Sequence, residues 1–328
     1  MRNAPRTLLV VLLAACTGPG KRQGEAWRDP SRPPEERAAA LLSRMTLEEK
    51  VAQLRCSLSD PEQKAVIPAD GIGNLGTFLR PFAAGEAAEK ANRVQRIARE
   101  KTRLGIPILV HDEALHGLVG KGAASYPQAI ALAATFDTDR MLEVATAIGK
   151  ETRSRGIHQA LSPVVNLARD VRWGRVEETY GEDPYLSARM GVAFCRGLEG
   201  EGVITTPKHF AVNVGDGGRD SQAIDLPERL LRETEFVPFE ACFREAGARS
   251  VMAAYNSLNG LPCSSNPWLL TDVLRKEWGF RGFVVSDYDS VGGIVSHHRA
   301  AASKKEGAAR ALGAGLDVEL PNVDLYGP

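Results

Sequence analysis

Short apolar runs alternate with longer helix-like stretches along most of this chain, and this alternation restricts the possible folds more than any other feature. Each run except the last precedes a longer stretch typical of a helix. The seven runs read IGNLGTFL, IPILVHDE, HQALSPVVNLA, VITTPKHFAV, SVMAAYNSLNG, GFVVSDY and LDVEL. Such an alternation predicts a parallel sheet, either open and doubly wound or closed into a barrel.

Polar side chains at the C-terminal ends of several runs favour the barrel. They are His111, Asp112, Glu113, Lys208, His209, Tyr255, Asn256 and Asp287. In a barrel these ends converge on one site, whereas an open sheet concentrates its site at one switch point. No G-x-G-x-x-G loop follows the first run, so a nucleotide-dependent α/β enzyme is a distant alternative. We therefore predict an α/β chain with a (β/α)8-type TIM barrel. Because we count seven runs, we expect this barrel to be incomplete at its C-terminus.

The composition limits the classes of partner. Lys plus Arg and Asp plus Glu each total 41 among the 328 residues, and no basic run stands out. This balance argues against nucleic acid as the main partner. The cysteines after residue 50 show no C-x-x-C spacing, so no metal site or cofactor is expected.

The N-terminus has the pattern of an export signal. A basic start precedes an apolar segment at residues 8–13 and then small residues before Cys16. Leu13-Ala14-Ala15-Cys16 resembles a bacterial lipobox, which predicts lipidation of Cys16; a plain signal peptide that happens to contain a cysteine is the alternative.

Three segments follow from this pattern. Residues 1–16 are predicted to be a signal peptide with a lipobox and residues 17–33, rich in Gly, Pro and charge, a flexible tether. Residues 34–328 are predicted to form the barrel domain. We expect an exported protein that contacts a bacterial membrane only through its lipid anchor.

Two polar clusters suit carbohydrate chemistry. In RDVRWGRVEETYGEDPYL, residues 169–186, an aromatic residue beside arginines suits a sugar ring, which offers apolar C–H faces and a rim of hydroxyls. The alternative is a solvated loop of ion pairs. In TPKHF, Lys208 and His209 end an apolar strand, where they either donate hydrogen bonds to substrate or form a buried pair with a carboxylate beside a core histidine.

The fragment GFVVSDYDSVGG contains two aspartates, Asp287 and Asp289, two residues apart. In a strand, both carboxylates would face the same side.

Seven fragments, in order, resemble the N-terminal barrel domain of glycoside hydrolase family 3, the β-glucosidase and β-xylosidase family. They are LLSRMTLEEKVAQL, HDEALHG, SYPQAIALAATFD, RWGRVEETYGEDPYL, TPKHFAVN, SVMAAYN and GFVVSDYDSV. The resemblance runs from about residue 34 to the end. It implies an exo-acting, retaining hydrolase that releases non-reducing-end xylose or glucose from β-linked oligosaccharides.

The resemblance also implies roles for individual residues. Asp287 matches the catalytic nucleophile, and Asp289 has no counterpart, so we interpret Asp289 as a loop residue or helix cap. A nucleophilic carboxylate must be ionised at neutral pH, a state that nearby cations favour. The other residues implied, all at the subsite for the terminal sugar, are Glu113, Arg175, Lys208, His209, Met252 and Tyr255.

Retaining hydrolysis needs a second carboxyl group about 5–5.5 Å from the first, as acid and then base. In multidomain members of the family this residue comes from a second α/β domain, which this chain lacks, so we expect a fragment of a longer glycosidase. The internal candidates by position are Glu177, Glu178, Asp216 and Asp220, none of which the resemblance assigns.

Two alternatives remain. A lipid-anchored carbohydrate-binding or inactive truncated homologue would keep the sugar subsite without catalysis. The one-domain β-N-acetylhexosaminidases use an Asp–His dyad after the KH strand, and the corresponding NVGDGGRDSQ loop has no histidine.

Glu113 stands where many β-glucosidases carry the shorter aspartate, so it could crowd a hexose CH₂OH group and favour xylose.

Overall fold

The computed structural model describes residues 26–62, 67–322 and 324–327. The chain divides into two compact units, residues 1–46 and 47–328. In the first unit, a 3-10 turn at Ala26–Arg28 precedes helix α1 at Pro34–Leu42. The predicted signal peptide, including Cys16, and the tether up to residue 25 lie outside the described residues. No helix in the described ranges is both long and apolar enough to cross a bilayer.

The second unit contains the predicted parallel strands. The strands are β1 Cys56–Ser57, β2 Asn74–Gly76, β3 Leu109–Asp112, β4 Gln159–Ala160, β5 Ile204–Thr205, β6 Ser250–Ala253, β7 Ser257–Leu258, β8 Leu261–Pro262 and β9 Phe283–Ser286. β1 to β5 form one parallel sheet in chain order, and β6 pairs with β9 in parallel. β7 and β8 form a small antiparallel hairpin after β6. The hairpin apart, the strands paired within each sheet follow one another along the chain, as in a barrel.

Backbone hydrogen bonds continue the ladder beyond these strands. The Phe210 amide donates to the Met252 carbonyl (2.7 Å), which joins the end of β5 to β6. On the other side, Val285 of β9 bridges Val318 in parallel. The next residue, Glu319, donates its amide to the Leu54 carbonyl (3.1 Å), just before β1. The ladder therefore returns to its first strand, and the predicted TIM barrel is confirmed.

The sequence predicts seven barrel strands, and the structure adds an eighth, β1, at the beginning of the barrel. The seven predicted runs supply β2 to β6, β9 and the segment around Val318, whereas β1 was not counted. β1 covers only Cys56–Ser57, between Arg55 and Leu58. A segment this short has no apolar periodicity to detect.

Helices surround the strands. They are α2 Leu47–Gln53, α3 Ala84–Lys101, α4 Ala129–Ala133, α5 Thr138–Ser154, α6 Pro184–Gly200, α7 Glu228–Leu230 continued by a π-helical turn at Leu231–Glu235, α8 Val237–Arg244, a π-helix at Trp268–Glu277, α9 Ser290–Ser296 and α10 Lys304–Ala314. Short 3-10 turns cover Val176–Glu178, Asp216–Gly218 and Cys263–Ser265.

Helix α6 shows how the sequence fixes one of these elements. The Asp183 carboxylate accepts a hydrogen bond from the Leu186 amide (2.7 Å) and caps the helix, with Pro184 in its first turn. Its apolar face packs against α5 and α8. A Cβ atom added to Gly197 would lie 2.5 Å from the Cβ of Ala145 in α5, so this contact requires glycine.

Candidate active site

The carboxyl ends of the strands bring the predicted site residues together. Glu113 follows β3, Lys208 and His209 follow β5, Tyr255 follows β6, and Asp287 follows β9. Side chains separated by up to 174 positions in the sequence (287 − 113) therefore surround one mouth of the barrel.

Asp287 is a buried carboxylate, 7% exposed. Its Oδ1 atom accepts a hydrogen bond from the Tyr288 amide (2.7 Å), whereas its Oδ2 atom has no hydrogen-bond partner within the described residues. Burial raises the pKa of Asp287 to about 6, and the charge of Lys208, the Tyr288 amide, the Tyr255 hydroxyl and Arg175 oppose this rise. The carboxylate is therefore mainly ionised at neutral pH.

His209 is buried and held by Asn166. The Oδ1 atom of Asn166 accepts hydrogen bonds from the His209 amide (2.7 Å) and from Nδ1 (3.0 Å), and the Asn166 amide group donates to the His209 carbonyl (2.9 Å). Burial lowers the pKa of His209 well below its usual range, helped by the charges of Arg175 and Lys208. Because Asn166 Oδ1 is an acceptor, the neutral ring carries its proton on Nδ1, and Nε2 is left as an acceptor 3.6 Å from Asp287 Oδ2.

Lys208 and Glu113 form an ion pair at the same mouth. Lys208 Nζ lies 3.0 and 2.8 Å from the two carboxylate oxygens of Glu113, and its side chain is 4% exposed. The buried lysine is thus neutralised by a carboxylate. The sequence analysis gave this buried pair as one of two interpretations of the TPKHF fragment. That lysine also contributes the largest of the charge effects on Asp287, so the pairing does not remove it from the site.

A second ion pair beside Glu113 was missed by the sequence analysis. Arg80, four residues after β2, donates from Nε to Asp112 Oδ1 (2.7 Å), and Asp112 Oδ1 also accepts from the Glu113 amide (2.8 Å). Burial raises the pKa of Asp112 to about 6, and Arg80 opposes the rise. Asp112 was visible as a polar strand end, but nothing in the sequence pairs it with Arg80, because that contact depends on the register of β2 and β3.

Arg175 is oriented by carboxylates on two loops. Its Nε and Nη2 atoms donate to the two carboxylate oxygens of Glu178 (2.8 and 2.9 Å), and its Nη1 atom lies 3.9 Å from Asp220 Oδ2. The negative charge of Asp287 also acts on Arg175. Glu178 and Asp220, two of the internal acid/base candidates, are therefore engaged with Arg175. The side chain of Asp216 lies outside the described part of the chain.

Trp173 does not form an open platform for a sugar ring. It is 2% exposed, and its indole Nε1 donates to Asp220 Oδ1 (3.0 Å). Neither predicted role of this loop, an aromatic surface for a sugar ring or a solvated set of ion pairs, fits Trp173. The ion-pair interpretation holds for its neighbours, since Arg172 pairs with Asp170 (2.6 Å) on the surface.

Met252 and Asp289 occupy different surroundings. Met252, 1% exposed in β6, packs in the barrel interior with the apolar side chains Cys56, Leu161, Val285, Val318 and Leu320. Asp289 is exposed, has a left-handed backbone (φ 62°) and stands at the N-cap position of α9 without a side-chain cap hydrogen bond. Of the two aspartates, Asp287 alone is buried.

Among the described residues, the cysteines and the acidic side chains do not form a metal site. Cys56, Cys195, Cys242 and Cys263 are buried free thiols. Across the described ranges, no group of three or more His, Cys, Asp or Glu side chains is placed to hold a metal ion.

The fold and the site together define a class: a TIM-barrel protein whose carboxyl-end mouth holds a buried aspartate facing lysine, arginine and histidine. The family model described as "Glycosyl hydrolase family 3 N terminal domain" matches residues 46–326, and the chain therefore belongs to glycosyl hydrolase family 3.

Named relatives agree with this assignment. A β-xylosidase of Formosa agariphila is 42% identical over 255 residues, covering 72% of this chain and 35% of the relative. A periplasmic β-glucosidase of Salmonella typhimurium is 33% identical over 290 residues, covering 85% and 36% of the two chains. Among solved structures, a β-glucosidase of Erythrobacter marinus superposes with a TM-score of 0.89 at 38% identity, covering 92% of this chain and 42% of that one. The chain spans less than half the length of these relatives.

Proposed function

We propose that this chain carries the sugar subsite and the nucleophile of an exo-acting, retaining β-glycosidase that releases terminal β-linked xylose or glucose. The observation that supports the proposal is the environment of Asp287. Its Oδ2 atom is buried without a hydrogen-bond partner in the described structure, and Lys208 and Arg175 favour its charged form. A carboxylate in this state is suited to attack a carbon that develops positive charge.

The proposed reaction has two steps. In the first, Asp287 Oδ2 forms a bond to the anomeric carbon while the bond to the leaving-group oxygen breaks, and that oxygen takes a proton from a general acid. In the second, water attacks the glycosyl-enzyme, gives up a proton to the same residue acting as base, and releases Asp287. Sugar hydroxyls would bind Arg175, Lys208, Glu113 and the Nε2 acceptor of His209. Hydrogen bonds that shorten as the ring approaches the oxocarbenium geometry increase the rate.

We propose none of the carboxylates at the mouth of the barrel as the general acid/base. Asp112, Glu113 and Glu178 are each engaged with a cation, namely Arg80, Lys208 and Arg175. An activated aryl glycoside needs little protonation of its leaving group, so it tests the nucleophile separately from the acid.

The test is mass spectrometry after incubation with an activated 2-deoxy-2-fluoro-β-xyloside or β-glucoside. We expect a glycosyl adduct on the peptide that contains Asp287, and no adduct with Asp287→Asn. An adduct on another residue, or wild-type turnover by Asp287→Asn, would refute the assignment. Sugar binding without any adduct or turnover would instead support the carbohydrate-binding alternative.

We also propose export with lipidation of Cys16, on the basis of the signal pattern alone. Expression of the wild type and Cys16→Ser with the native N-terminus should place only the wild type in the detergent phase of a Triton X-114 separation. Equal partitioning of the two would contradict a lipid anchor on this residue.

A further inference from the structure

The loop that carries Arg175 has little regular structure of its own. Between β4 and α6, which are separated by more than 20 residues, the described structure shows only the 3-10 turn Val176–Glu178 and an isolated bridge from Val164 to Lys208. The bond between Arg175 and Glu178 lies within this turn and orients the guanidinium group relative to the turn. It does not fix the turn relative to Lys208 and His209, because the loop bonds to these two residues come from residues 163–166, well before the turn.

Asp220 connects the part of the loop that carries Arg175. Its Oδ1 atom accepts hydrogen bonds from Trp173 Nε1 (3.0 Å), in the Arg175 loop, and from Asn213 Nδ2 (2.7 Å), four residues after His209. Both donors belong to buried residues, 2% and 0% exposed. Loss of this acceptor would leave two buried donors without a partner, a situation that proteins avoid.

The backbone shows the same close approach independently of these hydrogen bonds. Gly218 has a φ of 74°, and a Cβ atom added there would lie 2.7 Å from the carbonyl carbon of Arg172 and 2.7 Å from the amide nitrogen of Trp173. The segment before Asp220 therefore lies directly on the backbone just before Arg175. Only glycine allows this contact without displacing one of the two segments.

From this geometry we infer that Asp220 is the positioning residue for Arg175: its carboxylate ties the Arg175 loop to the segment that follows Lys208 and His209. This inference rests on the proposed function for its consequence, the binding of sugar. Asp220 acts mainly as a hydrogen-bond acceptor. Its Oδ2 atom is 3.9 Å from Arg175 Nη1 and its side chain is 41% exposed, so solvent screens its charge.

The two roles, acceptor and charge, can be separated by two substitutions at the same position. Asp220→Asn keeps an Oδ1 acceptor for Trp173 and Asn213, whereas Asp220→Ala removes it. We expect the affinity for isofagomine and xylose, measured by calorimetry, to fall about tenfold in Asp220→Ala and to stay within about threefold of wild type in Asp220→Asn. Trp173→Phe should also weaken binding, and the double variant Trp173→Phe/Asp220→Ala should lose little more than Asp220→Ala alone.

Asp225→Ala is the matched control, because Asp225 is an exposed aspartate of the same segment. Binding by Asp225→Ala should equal that of the wild type. Equal affinity in the wild type and Asp220→Ala, or equal losses in Asp220→Ala and Asp220→Asn, would overturn the acceptor role.

A readout that needs no sugar keeps the inference separate from the proposed function. In ¹⁵N NMR spectra, the Trp173 indole and Arg175 Nε–H signals should both change in Asp220→Ala and remain close to their wild-type positions in Asp220→Asn. Unchanged Arg175 signals in Asp220→Ala would overturn the positioning role even if sugar binds. If the two Asp220 variants give the expected NMR changes but the wild-type protein binds neither isofagomine nor xylose, the positioning role stands and the sugar subsite is refuted.

Discussion

The Nε2 atom of His209 lies 3.6 Å from the Oδ2 atom of Asp287, and both are acceptors at neutral pH. Two acceptors this close can both accept from one hydroxyl that lies beside them. Asn166 fixes the His209 ring, and the Tyr288 amide holds the Asp287 carboxylate through Oδ1. The relationship links the electrostatics of the site to measurable pH dependence.

The first prediction concerns the acid limb of catalysis. Because the pKa of Asp287 is raised to about 6, we expect kcat/KM for an activated aryl β-xyloside to fall below pH 6 as this proposed nucleophile becomes protonated. The charge of Lys208 lowers this pKa, so Lys208→Met should move the acid limb to higher pH. An acid limb that stays at the same pH in Lys208→Met would show that another group controls it.

A second prediction follows from the same pKa by linkage. The folded-state pKa of Asp287, about 6, lies above the ordinary value of 3.8, so the unfolded chain releases this proton first as the pH rises. Ionised Asp287 therefore destabilises the fold progressively between about pH 4 and pH 6. We expect Asp287→Asn to become more stable than the wild type by on the order of 2–3 kcal/mol at pH 7, with little difference near pH 4. Urea unfolding at both pH values measures this difference.

The control for this stability effect is Asp289→Asn. It makes the same chemical change two residues away, on an exposed side chain whose left-handed backbone asparagine tolerates. Its unfolding free energy should follow that of the wild type at both pH values. If Asp287→Asn also follows the wild type, Asp287 has no raised pKa in the folded protein.

The parallel barrel explains how much of this site the sequence could predict. Once strands and helices alternate, polar residues at the strand ends must meet at one mouth, so the proximity of Lys208 and Asp287 did not require knowledge of side-chain packing. The partners of these residues did require it. Arg80 reaches Asp112 through strand register, and Asn166 reaches His209 from a loop without a distinctive motif. Trp173 was open to misinterpretation because sequence shows an aromatic beside arginines but not the buried acceptor of its indole N–H.

A third prediction concerns the protonation state of His209. Burial and the charges of Arg175 and Lys208 lower its pKa, so the ring should remain neutral from pH 8 down to pH 5, with its proton on Nδ1. Long-range ¹⁵N–¹H NMR spectra distinguish the two ring nitrogens, and His209→Gln identifies the signals. Titration of the ring near pH 6.5, or a proton on Nε2, would contradict the acceptor role of this atom.

The last prediction tests whether Glu113 selects pentoses. Lys208 Nζ holds both carboxylate oxygens of Glu113, so this side chain cannot easily swing aside for a larger sugar. Glu113→Asp withdraws the carboxylate by one methylene group and should create room for the CH₂OH group of a hexose. We expect the ratio of kcat/KM for aryl β-glucoside to that for aryl β-xyloside to rise about tenfold, which corresponds to about 1.4 kcal/mol of transition-state discrimination. Glu177→Asp, the same change on an exposed residue of the neighbouring loop, should leave the ratio unchanged. If the ratio stays constant in Glu113→Asp while both activities fall equally, Glu113 orients Lys208 and does not select the sugar.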